Sequence, residues 1–136
     1  MANEAVLVFE TELPIPFTVA DSTGIEKGAV LKMTDPMTAI ITSAALDTVA
    51  GIASSEKIIS DGKVKLGVYR GGIFKVYLSG SCTVGDAAVT DSMVNYFKSR
   101  ATLTEAQLSG SKVAGIFLET GTANETVLME LRIHGQ

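Results

Sequence analysis

Apolar residues recur at every second position through most of this 136-residue chain. That period points the residues of one face of a strand into a core and sets a mainly β reading. Leu13, Ile15, Phe17 and Val19 share one face, and Pro14 and Pro16 fall on the other phase. Alternate residues of a strand aim their backbone N–H groups to the same side. Two prolines in one phase therefore leave one side without donors, which predicts an edge strand or a strand paired on one side only.

Short strands are expected from about Ala29 to Met33, closed by Asp35-Pro36, and over Thr38–Thr42 and Val49–Ala53. The clearest hairpin reads from Val64 to Leu78 around Arg70-Gly71-Gly72. A three-residue loop with Gly72 left-handed would pair Val68 with Phe74, Leu66 with Val76 and Val64 with Leu78. Thr83–Val89 reads as a turn and a short strand, followed near the end by strands over Val113–Glu119 and Thr126–Ile133. Between them, two readings stand for residues 92–99. Met93, Val94 and Phe97 have helical spacing, whereas Asn95–Lys98 reads as a strand. Thr104–Leu108 has the composition of one helical turn, with Thr102 or Thr104 as its cap.

A short repeat is visible. Val49-Ala50-Gly51-Ile52 recurs as Val113-Ala114-Gly115-Ile116, and each copy follows a Gly-containing turn, Lys27-Gly28-Ala29-Val30 or Val84-Gly85-Asp86-Ala87. Two pseudo-equivalent β units would give this pattern, and so would convergent use of small residues. The organisation expected is an N-terminal arm or edge strand over residues 1–20 and one β domain over 21–136.

The chemistry-bearing residues are few. The net charge is −4, and Lys63, Lys65, Arg70 and Lys75 are diluted by apolar residues and glycines. Nucleic-acid binders cluster Lys and Arg against phosphates, so no nucleic-acid partner is expected. These four cations read as the solvated face of a hairpin. One cysteine, Cys82, and one histidine, His134, cannot supply the three or four N or S ligands of a zinc site, nor a held His for triad catalysis. Cys82 reads as a small buried hydrophobe. Asp21, Asp35, Asp47, Asp61, Asp86 and Asp91 sit beside turn residues, where aspartate bonds its own backbone; a calcium ion between two such loops stays open. No Gly-rich segment leads into Lys-Ser or Lys-Thr, so no P-loop is expected. No cofactor and no enzymatic activity are expected. The opening residues carry no positive region before their apolar run, so no secretory signal is expected, and no stretch approaches the ~20 apolar residues of a membrane span. The expected setting is a soluble protein made in a cytoplasm.

Two features point to assembly. Charged residues are sparse and small residues abundant, which suits a surface buried against other subunits. Ala5-Val6-Leu7-Val8-Phe9 is a continuous apolar, β-prone run near the start of the chain. This run serves either as a first core strand or as an arm that adds to a neighbour's sheet.

Gly24–Lys32 followed by Thr34-Asp35-Pro36, then Val49–Ala53 with Glu56-Lys57, Asp61-Gly62-Lys63 and Val68–Phe74, form an ordered series. With Thr83–Val89 and Val113–Glu119, that series resembles a family of virus-encoded capsid decoration proteins long catalogued as a domain of unknown function. More distantly it is similar to the lambda-type head decoration protein. The likeness covers roughly Gly24 to Leu131; Met1–Asp21 and Met93–Ser111 depart from it. The resemblance implies a single compact β-tulip or small barrel-like domain with at most one short helix. It further implies homotrimers at three-fold and quasi-three-fold positions on the outside of a tailed-virus head, with the major capsid protein as partner and no catalysis. The residues expected to touch the shell or a sister subunit are Val6, Leu7, Val8, Phe9, Pro14 and Pro16. The rival readings are a tail or fibre component of a virion and a small ligand-binding β module.

Overall fold

A computed structural model describes residues 3–43, 48–103 and 113–133. The helical turn expected over Thr104–Leu108, and His134, lie outside the described residues. What is described is mainly β. Eleven strands and one 3₁₀ turn, Arg100–Thr102, follow one another along the chain.

β2 (Ile15–Thr18), β3 (Val30–Asp35), β4 (Thr38–Ile41), β5 (Val49–Ala53) and β6 (Lys65–Tyr69) close a small barrel in the order β2-β4-β3-β5-β6. β7 (Gly71–Leu78), β8 (Ala87–Thr90), β9 (Tyr96–Ser99), β10 (Gly115–Phe117) and β11 (Thr126–Arg132) form a second ring in the order β7-β11-β10-β8-β9, closed by pairing of β9 with β7. β1 (Val6–Phe9) lies outside both rings on the edge of β7.

The two rings are built alike, strand for strand. Thr18 pairs in parallel with Thr38 where Tyr77 pairs with Tyr96. Leu31 opposes Ile41 as Ala88 opposes Ser99, and Val30 opposes Ile52 as Ala87 opposes Ile116. Ile15 and Ala53 both meet Val68, just as Phe74 and Phe117 both meet Met129. Even the isolated bridges correspond, Ile25 with Lys57 and Cys82 with Gly121. Of the two explanations for the sequence repeat, the structure supports pseudo-equivalent units.

The repeated Val-Ala-Gly-Ile is explained by its crowding. Every residue of β5 is buried. Val30, Val49 and Ile52 pack with Phe74, Val76, Phe117 and Met129 of the second barrel, while Leu31, Ala50 and Ala53 face the core of the first with Phe17 and Val68. β3 and β5 thus serve both cores, one face each, which makes the pair of barrels one domain. Each large side chain so buried contributes about 1.5–3 kcal/mol.

The expected Val64–Leu78 hairpin is not formed. β6 pairs with β2 and β5, β7 pairs with β11, β1 and β9, and the chain crosses between barrels at Arg70. Leu66 and Val68 enter the first core, and Phe74, Val76 and Leu78 the second. All five share one phase, and a strand that bends and continues keeps its phase as a hairpin of the expected register does. Gly71 sits where a Cβ would meet the Glu12 carboxylate, so the glycines here accommodate the crossing rather than a reversal. Residues 92–99 resolve into a turn and then strand β9.

Candidate docking surface

The N-terminal segment runs antiparallel along the crossing strand. Val6 opposes Lys75, Phe9 opposes Ile73, and β2 then pairs with β6 from Ile15–Val68 to Thr18–Lys65. Its anchor is Ala5, buried in the larger core, whose N–H donates to the Gly28 carbonyl at 2.9 Å. Gly28 has φ +88°, and a Cβ there would run into the Ala5 carbonyl, so only glycine lets the segment lie down. The Asn3 amide donates to the Tyr96 hydroxyl at 2.8 Å, and the Asn95 amide donates to Glu4 at 3.3 Å.

Past this anchor the side chains are open. Val6 and Phe9 are 60% and 63% exposed, and Leu7 and Val8 37% and 38%. Successive residues of a strand face opposite ways. The face that Leu7 shares with Ala5 turns toward the core beside Phe74, and the register slips between Leu7 and Phe9, so the open apolar residues are chiefly Val6 and Phe9, with Leu7 and Val8 partly covered. The edge away from β7 is open too. Ala5 turns its N–H away from β7, and alternation turns the N–H and C=O of Leu7 the same way. That side borders a groove of about 500 Å³ between β1, the Lys27-Gly28 turn, Ser54 and Tyr69. The Tyr69 hydroxyl donates to Glu10 at 3.0 Å; burial, then the Glu10 carboxylate, push its pKa up.

Of the other two expected contact residues, Pro16 lies on β2 and Pro14 immediately precedes it. Pro16 is exposed and Pro14 half-buried, its ring against Gly67. The Thr18 N–H donates to the Met37 carbonyl at 2.6 Å, away from β6. Alternation aims the nitrogens of Pro14 and Pro16 to that same side, where β4 reaches only Thr18. The strand is thus paired on one side at its prolines, as their phase requires. The apolar face expected of Leu13, Ile15, Phe17 and Val19 is buried only in its second half. Leu13 and Ile15 stay exposed because the strand enters the barrel at Phe17. Together, β1, Leu13, Ile15 and Pro16 make an apolar surface on one stretch of chain.

A second apolar group was not foreseen. Met37, Ile58, Ile59 and Val64 are exposed at the end of the first barrel. They are ranged along residues 18–24, since Val19 bonds the Val64 carbonyl and Ile59 lies against Gly24. Beneath them Lys57 is fully buried. Its ammonium donates to Asp21 O at 2.9 Å, Ile58 O at 3.1 Å, Asp61 Oδ1 at 3.2 Å and Asp21 Oδ1 at 3.3 Å. No spacing in the sequence marks this lysine as internal. Lys63 and Lys65 are exposed, as expected of a solvated face.

Cys82 is buried; desolvation raises its thiol pKa and the thiol points at the Glu119 carbonyl, 3.5 Å away. Among the described residues no group of three His, Cys, Asp or Glu side chains is placed to hold a metal ion, and no helix is long and apolar enough to cross a membrane. No protein-family model and no curated protein matches this chain.

Proposed function

We propose that this chain is a structural decoration protein of a tailed-virus head, bound to the outside of the expanded shell and cementing it. The observation that carries the reading is β1, an apolar edge strand with Val6 and Phe9 largely exposed, held against the double barrel by Ala5 and the β7 ladder. An apolar patch left open on a protein surface often marks a place where another protein sits. The ordered resemblance to capsid decoration proteins supports the same reading.

The mechanism is clamping. A protein that touches several shell subunits at once gains avidity from simultaneous contacts. Where those contacts exist only in the expanded shell, binding stabilises that state against internal pressure. The acidic chain does not compete for the packaged genome.

Co-sedimentation with expanded heads stripped of decoration tests this. Saturable binding at a fixed ratio to the major capsid protein, with heads more resistant to heat, is expected. The Val6→Thr, Phe9→Ser double variant and a chain lacking Met1–Phe9 should bind poorly. Absence of binding by the full chain, or undiminished binding by both variants, rejects the role.

A further inference from the structure

The same turn precedes β3 in the first barrel and β8 in the second. Gly28 N–H donates to the Ala53 carbonyl at 2.9 Å as Gly85 N–H donates to the Phe117 carbonyl at 2.8 Å. Ala53 N–H donates back to the Ala29 carbonyl and Phe117 N–H to the Asp86 carbonyl, both at 2.9 Å. The two glycines take φ +88° and +92°. Lys27 therefore corresponds to Val84, Val30 to Ala87, Ile52 to Ile116 and Ser54 to Leu118.

What lies on the turn differs. In the first barrel Gly28, Val30 and Ile52 are buried, Gly28 beneath Ala5 and the other two beneath the second barrel. In the second barrel Gly85 is exposed, nothing lies within 4 Å of the place a Cβ would take, and Ala87 and Ile116 are half-buried. Among the described residues nothing donates to the Gly85 carbonyl as Ala5 N–H donates to that of Gly28. The side chains flanking the bare turn are nonetheless the apolar ones. Val84, in the place of Lys27, is 60% exposed, and Leu118, in the place of Ser54, is 36% exposed. They adjoin one surface. Ile116 opposes Ala87 across the ladder, Leu118 follows Ile116 on the same face, and its N–H donates to the Leu128 carbonyl. Charges of both signs border it, Glu119 and Glu130 with Lys75 opposite Leu128, so charge does not select the partner.

We infer that the Gly85 turn receives an extended apolar segment of the shell protein, laid across it as Ala5 is laid across Gly28; the inference rests on the shell-binding role proposed above. The segment places a small residue over Gly85, donates a backbone N–H to the Gly85 carbonyl and packs apolar side chains against Val84 and Leu118. The occupant comes from another protein because this chain's own segment is already held at Gly28, with Ala5 buried there and the following residues in the β7 ladder. β7 and β11 stand between β1 and β10. Each copy therefore holds the shell at two separate places, which multiplies the strength of attachment.

Co-sedimentation with expanded heads stripped of decoration, joined to amide hydrogen exchange of the bound chain, tests this. Val84→Lys with Leu118→Ser installs the residues of the first barrel. Gly85→Asn puts a side chain where the segment would lie, on a left-handed backbone of the kind Asn95 and Asn124 already adopt at φ 70° and 68°. Both variants should melt as the wild type does and bind heads at least about tenfold more weakly. Exchange at residues 84–87 of the wild type should slow on the heads. Heads that bind both variants as they bind the wild type overturn the Gly85 site and leave the shell role standing. Heads that do not bind the wild type overturn the shell role itself, and this partner with it. Unaltered exchange at residues 84–87 on binding overturns the direct contact. Association of free chains that Gly85→Asn abolishes would assign the turn to a second copy and overturn the shell segment as its occupant.

Discussion

Gly51 and Gly115 hold the same place in the two barrels: a Cβ on either would run into a carbonyl oxygen of the neighbouring strand, that of Tyr69 for Gly51 and of Glu130 for Gly115. Neither neighbour is a side-chain end that could swing away; both are backbone in a paired strand. Gly51→Ala or Gly115→Ala is therefore expected to cost about 3 kcal/mol or more. Gly80→Ala, where nothing lies within 4 Å, should change stability by under about 0.5 kcal/mol. Denaturant unfolding of the three variants measures both figures.

Lys57→Met keeps most of the apolar stem and removes the ammonium from its ring of oxygens. Two carbonyls and two carboxylates then lose their donor, for an expected loss of about 2–4 kcal/mol. Since Ile58, Asp61 and the Asp21 turn are tied through that nitrogen, amide hydrogen exchange should rise around residues 57–63 and leave β11 unchanged. Uniform loss of protection would reject a local tie.

Asp61 makes the same site sensitive to acid. The Lys63 N–H holds its carboxyl below the usual range, desolvation opposes, and Lys57 with the Ile58 N–H add to the lowering. A folded pKa below the unfolded one gives stability that is present above about pH 4 and is lost as pH falls through the lowered value. Asp61→Asn should flatten that acid limb below about pH 4. An unchanged slope of stability against pH would remove Asp61 as its source.

Pro14 and Pro16 correspond to Ile73 and Lys75, the residues of β7 on which β1 lies. One barrel covers this edge with a strand, and the other withholds the donors a strand would need. Pro14→Val with Pro16→Val restores both N–H groups on an exposed edge. Light scattering during heating should then report aggregation at a lower temperature than for the wild type, whereas an equal or higher onset would show that the edge is protected in some other way.

The strands were legible where one core decides the burial of each face. Val49–Ala53 was readable to the residue, and Thr38–Ile41 and Thr126–Arg132 nearly so, because turn residues bound them. The crossing at Arg70 was not legible, since periodicity records which way side chains point and not which strand lies alongside. Exposure of Val6–Phe9 was equally hidden: an apolar β-prone run reads alike on a core strand and on an open edge. Lys57 was missed because the Asp21 carbonyl and carboxylate, 36 residues away, reach it only through the fold.

The course of the N-terminal segment along β7 and then β6 has a mechanical consequence. A tether gripping Val6–Phe9 and pulling along the strand axis loads the ladders from Val6–Lys75 to Thr18–Lys65 in shear. Hydrogen bonds perpendicular to the strands then share the force together instead of opening one after another. In the shell-cementing role proposed above, load from outward pressure would run along the surface, a direction in which this seam slides rather than peels.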